Sequence, residues 1–171
     1  MKVKLNNTKY YTTCALFIGI MLSGCLGDDI NYEARERKER EKYLEENNIT
    51  VEPTESGLYI IILDSGYGEY AEMGDTVTIN YEGYFLDGRL LDTNIEAVAV
   101  DHDLYSPYDF YEPYTFVMGT NRIFEGIEEG LTHMKEGASA QLIIPSELSA
   151  PGSYQTLMYY IYFLELGVSP D

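Results

Sequence analysis

Cysteine is scarce in this 171-residue chain: Cys14 and Cys25 are the only two, and none follows them. The main body therefore builds no disulfide framework and runs no thiol chemistry. Positive charge is scarce as well. Eleven Lys and Arg stand against 29 Asp and Glu, and three of those lysines, Lys2, Lys4 and Lys9, precede Cys25. From Cys25 onward, eight basic against 29 acidic residues give −21. A surface of that sign repels phosphate backbones, so nucleic acid is not expected as a partner. The same charge favours solubility and repulsion from anionic surfaces. Histidine occurs twice, as His102 and His133. His102 sits between Asp101 and Asp103, but that spacing matches no metal-ligand pattern, and no metal is expected. Long apolar runs are missing too. The stretch Cys14 to Leu22 falls far short of the about 20 residues a membrane helix needs.

What the N-terminus does contain is ordered. A lysine-bearing start, the short apolar stretch and the small residues Ser23-Gly24 describe a secretory signal. Leu22-Ser23-Gly24-Cys25 resembles the lipobox of bacterial lipoproteins. That resemblance implies a signal peptide over 1–24, cleavage before Cys25 and a diacylglycerol on the Cys25 sulfur, hence attachment to a membrane through an N-terminal lipid. Stable anchoring takes two or more acyl chains. Leu26 resembles outer-membrane sorting, and Asp28-Asp29 resembles the acidic surface-export tag of Bacteroidetes lipoproteins. The location implied is the bacterial cell envelope, at the outer membrane, on its periplasmic or surface face.

Residues 25–48 read as a lipidated N-terminus followed by a charged helix. In "NYEARERKEREKYLEENN", Glu33–Arg37 and Glu36–Arg40 are i,i+4 pairs in the favourable order. The apolar positions Tyr32, Ala34, Tyr43 and Leu44 make too narrow a stripe for a core helix. The expectation is a solvated spacer, with a dimerisation or partner helix as the alternative.

Residues 49–171 are the size of one domain. Leu58–Leu63 is a short β-prone run closed by Asp64-Ser65-Gly66, and Thr76–Tyr81 alternates polar with apolar. Asp87-Gly88 between apolar residues signals a hairpin, and Gln141–Pro145 and Leu157–Leu166 read as further strands. Ile123–Met134 is the one helical pattern of the domain, apolar at 123, 124, 127, 131 and 134. Several strands with one short helix indicate α+β with an antiparallel sheet.

The segments "ESGLYIIILDSGYG", "GDTVTINYEGYFLDGRLLD", "YTFVMGTNRIFEGIEEGLTHMKEGASAQLIIP" and "YIYFLEL" cover most of residues 55 to 167. In order and spacing they resemble the FKBP-type peptidyl-prolyl cis-trans isomerases. The resemblance implies a twisted antiparallel sheet wrapped around the short helix, with a pocket between them. It implies prolyl isomerisation of proline-containing client polypeptides, here exported proteins, without metal or cofactor. Matched by motif, Tyr81, Asp92 and Phe124 take the catalytic places. Leu91, Tyr114, Phe116, Ile123, Ile127 and Tyr162 take the substrate-binding ones. Leu91 stands where phenylalanine is usual, and Ile127 where many members have tryptophan.

Two stretches depart from the pattern. After "Ile-Pro" the loop reads "SELSAPGSYQT", which puts Ser149 where the family carries a tyrosine; Tyr154 could stand in. Without such a hydroxyl the same fold could serve as a catalytically weak binding module. The segment Thr93 to Pro113 is longer than in compact members and rich in tyrosine and acid, so it is either a lip over the pocket or an inert loop.

Overall fold

The protein is described by a computed structural model over residues 31–167. The signal peptide, the lipobox and Cys25 lie outside the described residues.

The alternation in "TVTINYEGYF" becomes the longest-paired strand of the fold. β3 (Thr76–Phe85) sends Val77 and Ile79 to a buried face and Thr78 and Asn80 to the other. β8 (Leu157–Gly167) pairs antiparallel along its whole length, from Thr76 opposite Gly167 to Phe85 opposite Leu157. β7 (Ser139–Ile144) pairs with β8, and β1 (Tyr59–Asp64) closes that side. On the free edge of β3 two short strands share the ladder: β4 (Leu90–Thr93) pairs with Glu82–Tyr84, and β5 (Tyr114–Val117) pairs with Thr76–Ile79. β2 (Tyr67–Tyr70) and β6 (Lys135–Glu136) form a separate two-stranded pair. The sheet is antiparallel, as expected from the sequence.

Where β4 ends and β5 has not begun, β3 would leave backbone groups unpaired, and buried ones are costly. Asn94, itself buried, fills the gap. Its Oδ1 accepts the Tyr81 N–H at 2.8 Å, and its Nδ2 donates to Ile79 O at 3.1 Å and Glu112 O at 2.9 Å. Beside it, the Thr93 hydroxyl donates to Tyr81 O at 2.7 Å. One amide thus fixes the backbone of Tyr81 and closes the base of the segment between β4 and β5.

That segment carries a helical turn that no pattern in the sequence marks, α2 (Glu96–Asp101). Six residues are too few to show a helical period, and α2 is held from outside instead. Ala99 is buried, and Val98 packs with Tyr84, Leu90 and Met158 on the back of the sheet.

The concave face holds the main core. α3 (Glu125–Thr132) lays Ile127 and Leu131 onto it, with Met134 just beyond, against Leu142, Ile144, Ile161 and Phe163. Gly126 and Gly130 make that approach possible. A Cβ on Gly126 would lie 2.5 Å from a methyl of Ile144, and one on Gly130 2.6 Å from a methyl of Leu142.

The charged N-terminal segment is helical as expected, α1 (Tyr32–Glu46), but it is not a solvated spacer. It belongs to the same compact unit as the sheet. Glu36 is only 3 % exposed. Its carboxylate accepts hydrogen bonds from Ser146 N at 2.8 Å, Ser146 Oγ at 2.6 Å and Thr156 Oγ1 at 2.9 Å. Arg40 stands 3.6 Å from the same carboxylate, while Arg37 pairs with Glu41 at 3.8 Å rather than with Glu33. One turn further, the Tyr43 hydroxyl donates to the Met158 sulfur at 2.9 Å. The stripe Tyr32, Glu36, Arg40 and Tyr43 is helical in spacing but polar at its centre, and for that reason a count of apolar residues misses it.

Candidate active site

A cavity of about 460 Å³ opens between α3, β3, β4 and β8. Its floor is Ile127, buried on α3. Phe124 precedes the helix in extended conformation, φ −59° and ψ 139°, and lines the cavity. The Phe124 ring meets Tyr159 edge-on, with centroids 6.0 Å apart and planes at 83°. Tyr81 flanks the Tyr159 ring on another side, with centroids 6.2 Å apart. The Tyr81 hydroxyl donates to Asp92 Oδ2 at 2.9 Å, which spans β3 and β4 at the mouth. Tyr114, stacked on Phe116 at 5.4 Å, and Ile123 complete the apolar part, and Asn121 and Arg122 form the rim.

The place of Tyr159 explains the glycine of Tyr81-Glu82-Gly83. Gly83 lies opposite Tyr159 in the β3–β8 register. A Cβ there would stand 2.6 Å from Cε1 and Cζ of the tyrosine ring, well inside contact distance. The missing side chain gives the ring its room beside the cavity.

Six of the nine pocket residues taken from the sequence line this cavity: Tyr81, Asp92, Tyr114, Ile123, Phe124 and Ile127. Phe116 does not; it is buried beneath Tyr114 as a support. Leu91 faces a neighbouring cavity. Tyr162 does not line the first cavity, and Tyr159 does. Strand side chains alternate, so Tyr159 and Ile161 share the concave face while Tyr160 and Tyr162 point to the back. There the Tyr162 hydroxyl donates to Glu82 Oε1 at 2.8 Å. Tyr154 does not stand in at the cavity either: it stacks on Tyr32 of α1, with centroids 5.4 Å apart. His102, between Asp101 and Asp103, packs edge-on against Tyr84 at 5.7 Å. Among the described residues no cluster of three potential metal ligands occurs. Tyr159, Asn121 and Arg122 were missed. The run Tyr159-Tyr160-Ile161-Tyr162 is apolar on both faces, and no alternation in it marks which tyrosine looks inward.

Burial raises the Tyr81 phenol well above the ordinary tyrosine range, and the Asp92 charge and hydrogen bond add to it. Burial also raises Tyr159, with Asp92 adding to it. On the back of the sheet, burial and the Glu82 carboxylate raise Tyr84 and push Tyr162 up to about 12. The sign for stability follows from the protons. Below the ordinary value near 10 both states hold them, and stability does not vary with pH through these groups. Above it the unfolded tyrosines ionise while the folded ones stay protonated, so stability falls as pH rises. Ultraviolet titration of tyrosinate should show four phenols that ionise only together with loss of tertiary structure; early, reversible ionisation of Tyr81, Tyr84, Tyr159 and Tyr162 would contradict it.

The chain is similar to known proteins across the residues that build this cavity. Residues 68–151 match the family described as FKBP-type peptidyl-prolyl cis-trans isomerase. The FKBP-type peptidyl-prolyl cis-trans isomerase FkpA of Escherichia coli is 29% identical over 150 residues, which are 84% of this chain. The chain spans about half of that relative's length, 49%. An FK506-binding protein of Neisseria meningitidis serogroup B is 32% identical over 92 residues, covering 54% of this chain and 72% of the relative. The crystal structure of FkpA from Escherichia coli superposes with a TM-score of 0.61 at 27% identity, covering 99% of this chain and 76% of that one.

Proposed function

The chain belongs to the FKBP-type peptidyl-prolyl cis-trans isomerases, and from that premise we propose that it isomerises peptide bonds preceding proline in client polypeptides. The observation that carries the reading is the cavity itself, with an aliphatic floor, aromatic walls and one carboxylate at the mouth. Prolyl isomerisation crosses a barrier of about 18–20 kcal/mol set by amide resonance. The planar amide is the more polar form and the better solvated by water. A water-poor site therefore favours the twisted transition state. Phe124, Tyr159 and Ile127 offer a proline ring that apolar contact. The Tyr81–Asp92 bond fixes one wall in place, so the site does not reorganise as the bond turns. This chemistry asks for no nucleophile, metal or cofactor.

Acceleration of cis–trans exchange in short Xaa-Pro peptides tests the reading. The protein should raise the rate well above the uncatalysed one, and Phe124→Ala and Asp92→Ala should each lower it about ten- to hundredfold. A folded protein that accelerates none of several Xaa-Pro peptides would sink it. One observation favours a second reading, a client-binding module with weak catalysis. Tyr154 is engaged by Tyr32, and the loop between β7 and β8 contributes no residue to the cavity lining. Binding of proline peptides without acceleration would select that reading.

We further propose that Cys25 carries the lipid that holds the protein at the bacterial envelope, where exported chains fold. The support is the order Leu22-Ser23-Gly24-Cys25 after a signal-like start. Cys25→Ser should leave the protein in the soluble fraction of lysed cells; unchanged membrane association would overturn the anchor.

A further inference from the structure

The segment between β4 and β5 is held by several contacts of its own. After α2 the Leu104 N–H returns to Ala99 O at 2.9 Å. The Tyr111 hydroxyl accepts from Ser106 N at 2.9 Å, and the Asp109 N–H donates to Ser106 O. Tyr105 stacks on Tyr111 at 5.6 Å, and Asn94 ties down the base through Glu112 O. This turn nonetheless presents Tyr108 and Phe110 with 89 % and 88 % of their surface in water. Holding large aromatics out in water serves no folding purpose, and such surfaces mark recognition sites.

Under that turn lies a second cavity of about 390 Å³. Tyr81 and Asp92 line it as well as the first, so the two share one hydrogen-bonded wall. Leu91, Leu104, Phe110 and Tyr111 give it apolar sides, Asp92 and Asp109 give it negative charge, and no basic residue lines it. We propose that this cavity is a specificity site for a lysine or arginine side chain lying next to the client proline. The proposal rests on the peptide-binding reading above and adds the class of client to it.

The chemistry selects that occupant. The methylene stem of Lys or Arg covers apolar walls while its head stays polar, and an aromatic face attracts the cation. Two carboxylates at the same place complement the head. A purely aliphatic side chain would bury the two charges with no opposite charge beside them, and an acidic one would be repelled. The surroundings agree in sign: from Ile49 onward the only basic residues are Arg89, Arg122 and Lys135. The shared wall sets the reach. Because Tyr81 and Asp92 line both cavities, the basic residue lies beside the proline rather than far along the chain.

The test uses the full-length chain in detergent micelles and four labelled peptides, identical except for Lys, Arg, Leu or Glu beside the proline. Affinity and isomerisation rate are measured for each, at low and high salt. The Lys and Arg peptides should bind about tenfold tighter than the Glu peptide, with the gap narrowing in high salt. Asp109→Asn and Phe110→Ala should each erase most of that preference, and Asp109→Asn should leave turnover of the Leu peptide near its parent value. Phe110 is solvent-facing and Asp109→Asn is isosteric, so neither change threatens folding. Equal affinity across the four peptides, or a preference that survives both variants, overturns the site and leaves the isomerase reading standing. Failure to bind even the Leu peptide overturns both.

Discussion

Replacing Glu36 by alanine is expected to destabilise the protein by about 3 kcal/mol, a large share of the 5–15 kcal/mol typical of a domain. The carboxylate is the common acceptor for Ser146 N, Ser146 Oγ and Thr156 Oγ1. Those residues stand at the two ends of the loop joining β7 to β8. Alanine leaves the donors buried without a partner, and each such loss costs about 1–3 kcal/mol. Arg40 limits the damage. Its side chain is partly exposed, and it keeps its bond to Thr156 Oγ1 at 3.1 Å. Glu36→Gln provides the contrast. Its amide oxygen can still accept the Ser146 N–H, and its amide nitrogen can donate to a hydroxyl, so the loss should be about 1 kcal/mol. Denaturant unfolding measures both. Hydrogen exchange in the Ala variant should show faster opening of residues 146–156 and of α1 than of β3 and β8. An Ala variant within measurement error of the parent would mean that α1 rides on the domain without supporting it.

The same helix shows where the sequence is legible and where it is not. That residues 32–46 are helical follows from oppositely charged residues at i,i+4 spacing, a local property. That the helix docks does not follow, because its anchor is a buried glutamate whose acceptors' partners lie about a hundred residues away in the chain. The sheet was legible for the opposite reason. β3 alternates over Thr76–Tyr81, and the pattern Ile123–Met134 around the short α3 repeats at helical spacing, so both faces are written into consecutive residues. α2 was not, being too short to carry a period. Within the site, Tyr81, Asp92, Phe124 and Ile127 were found by motif, and all four line one cavity. Tyr162 failed because β8 is apolar on both faces, and only the register with β3 decides which tyrosine faces inward. Asn94 carried no local signal at all. Its importance comes from the break between β4 and β5, which exists only in three dimensions.

Gly83→Ala is expected to keep the fold and lower isomerisation about ten- to hundredfold. The new Cβ would stand 2.6 Å from Cε1 and Cζ of Tyr159 and 2.8 Å from its hydroxyl, where ordinary contact needs about 3.5 Å or more. The ring must therefore move. Phe124 and Tyr81 flank it, and the open side is the cavity. The ring then takes part of the space a proline would enter. Overpacking of this kind costs about 1–3 kcal/mol of stability, too little alone to unfold a domain. A second change separates crowding from loss of the aromatic wall. Gly83→Ala combined with Tyr159→Leu relieves the clash, so thermal stability should recover. Isomerisation should stay low, because the leucine restores space but not the ring that faces Phe124. If Gly83→Ala alone leaves the rate unchanged, Tyr159 is not part of the working site. If the double variant regains full activity, the ring's role is only to fill volume, and the apolar cavity acts through its floor at Ile127 and through Phe124.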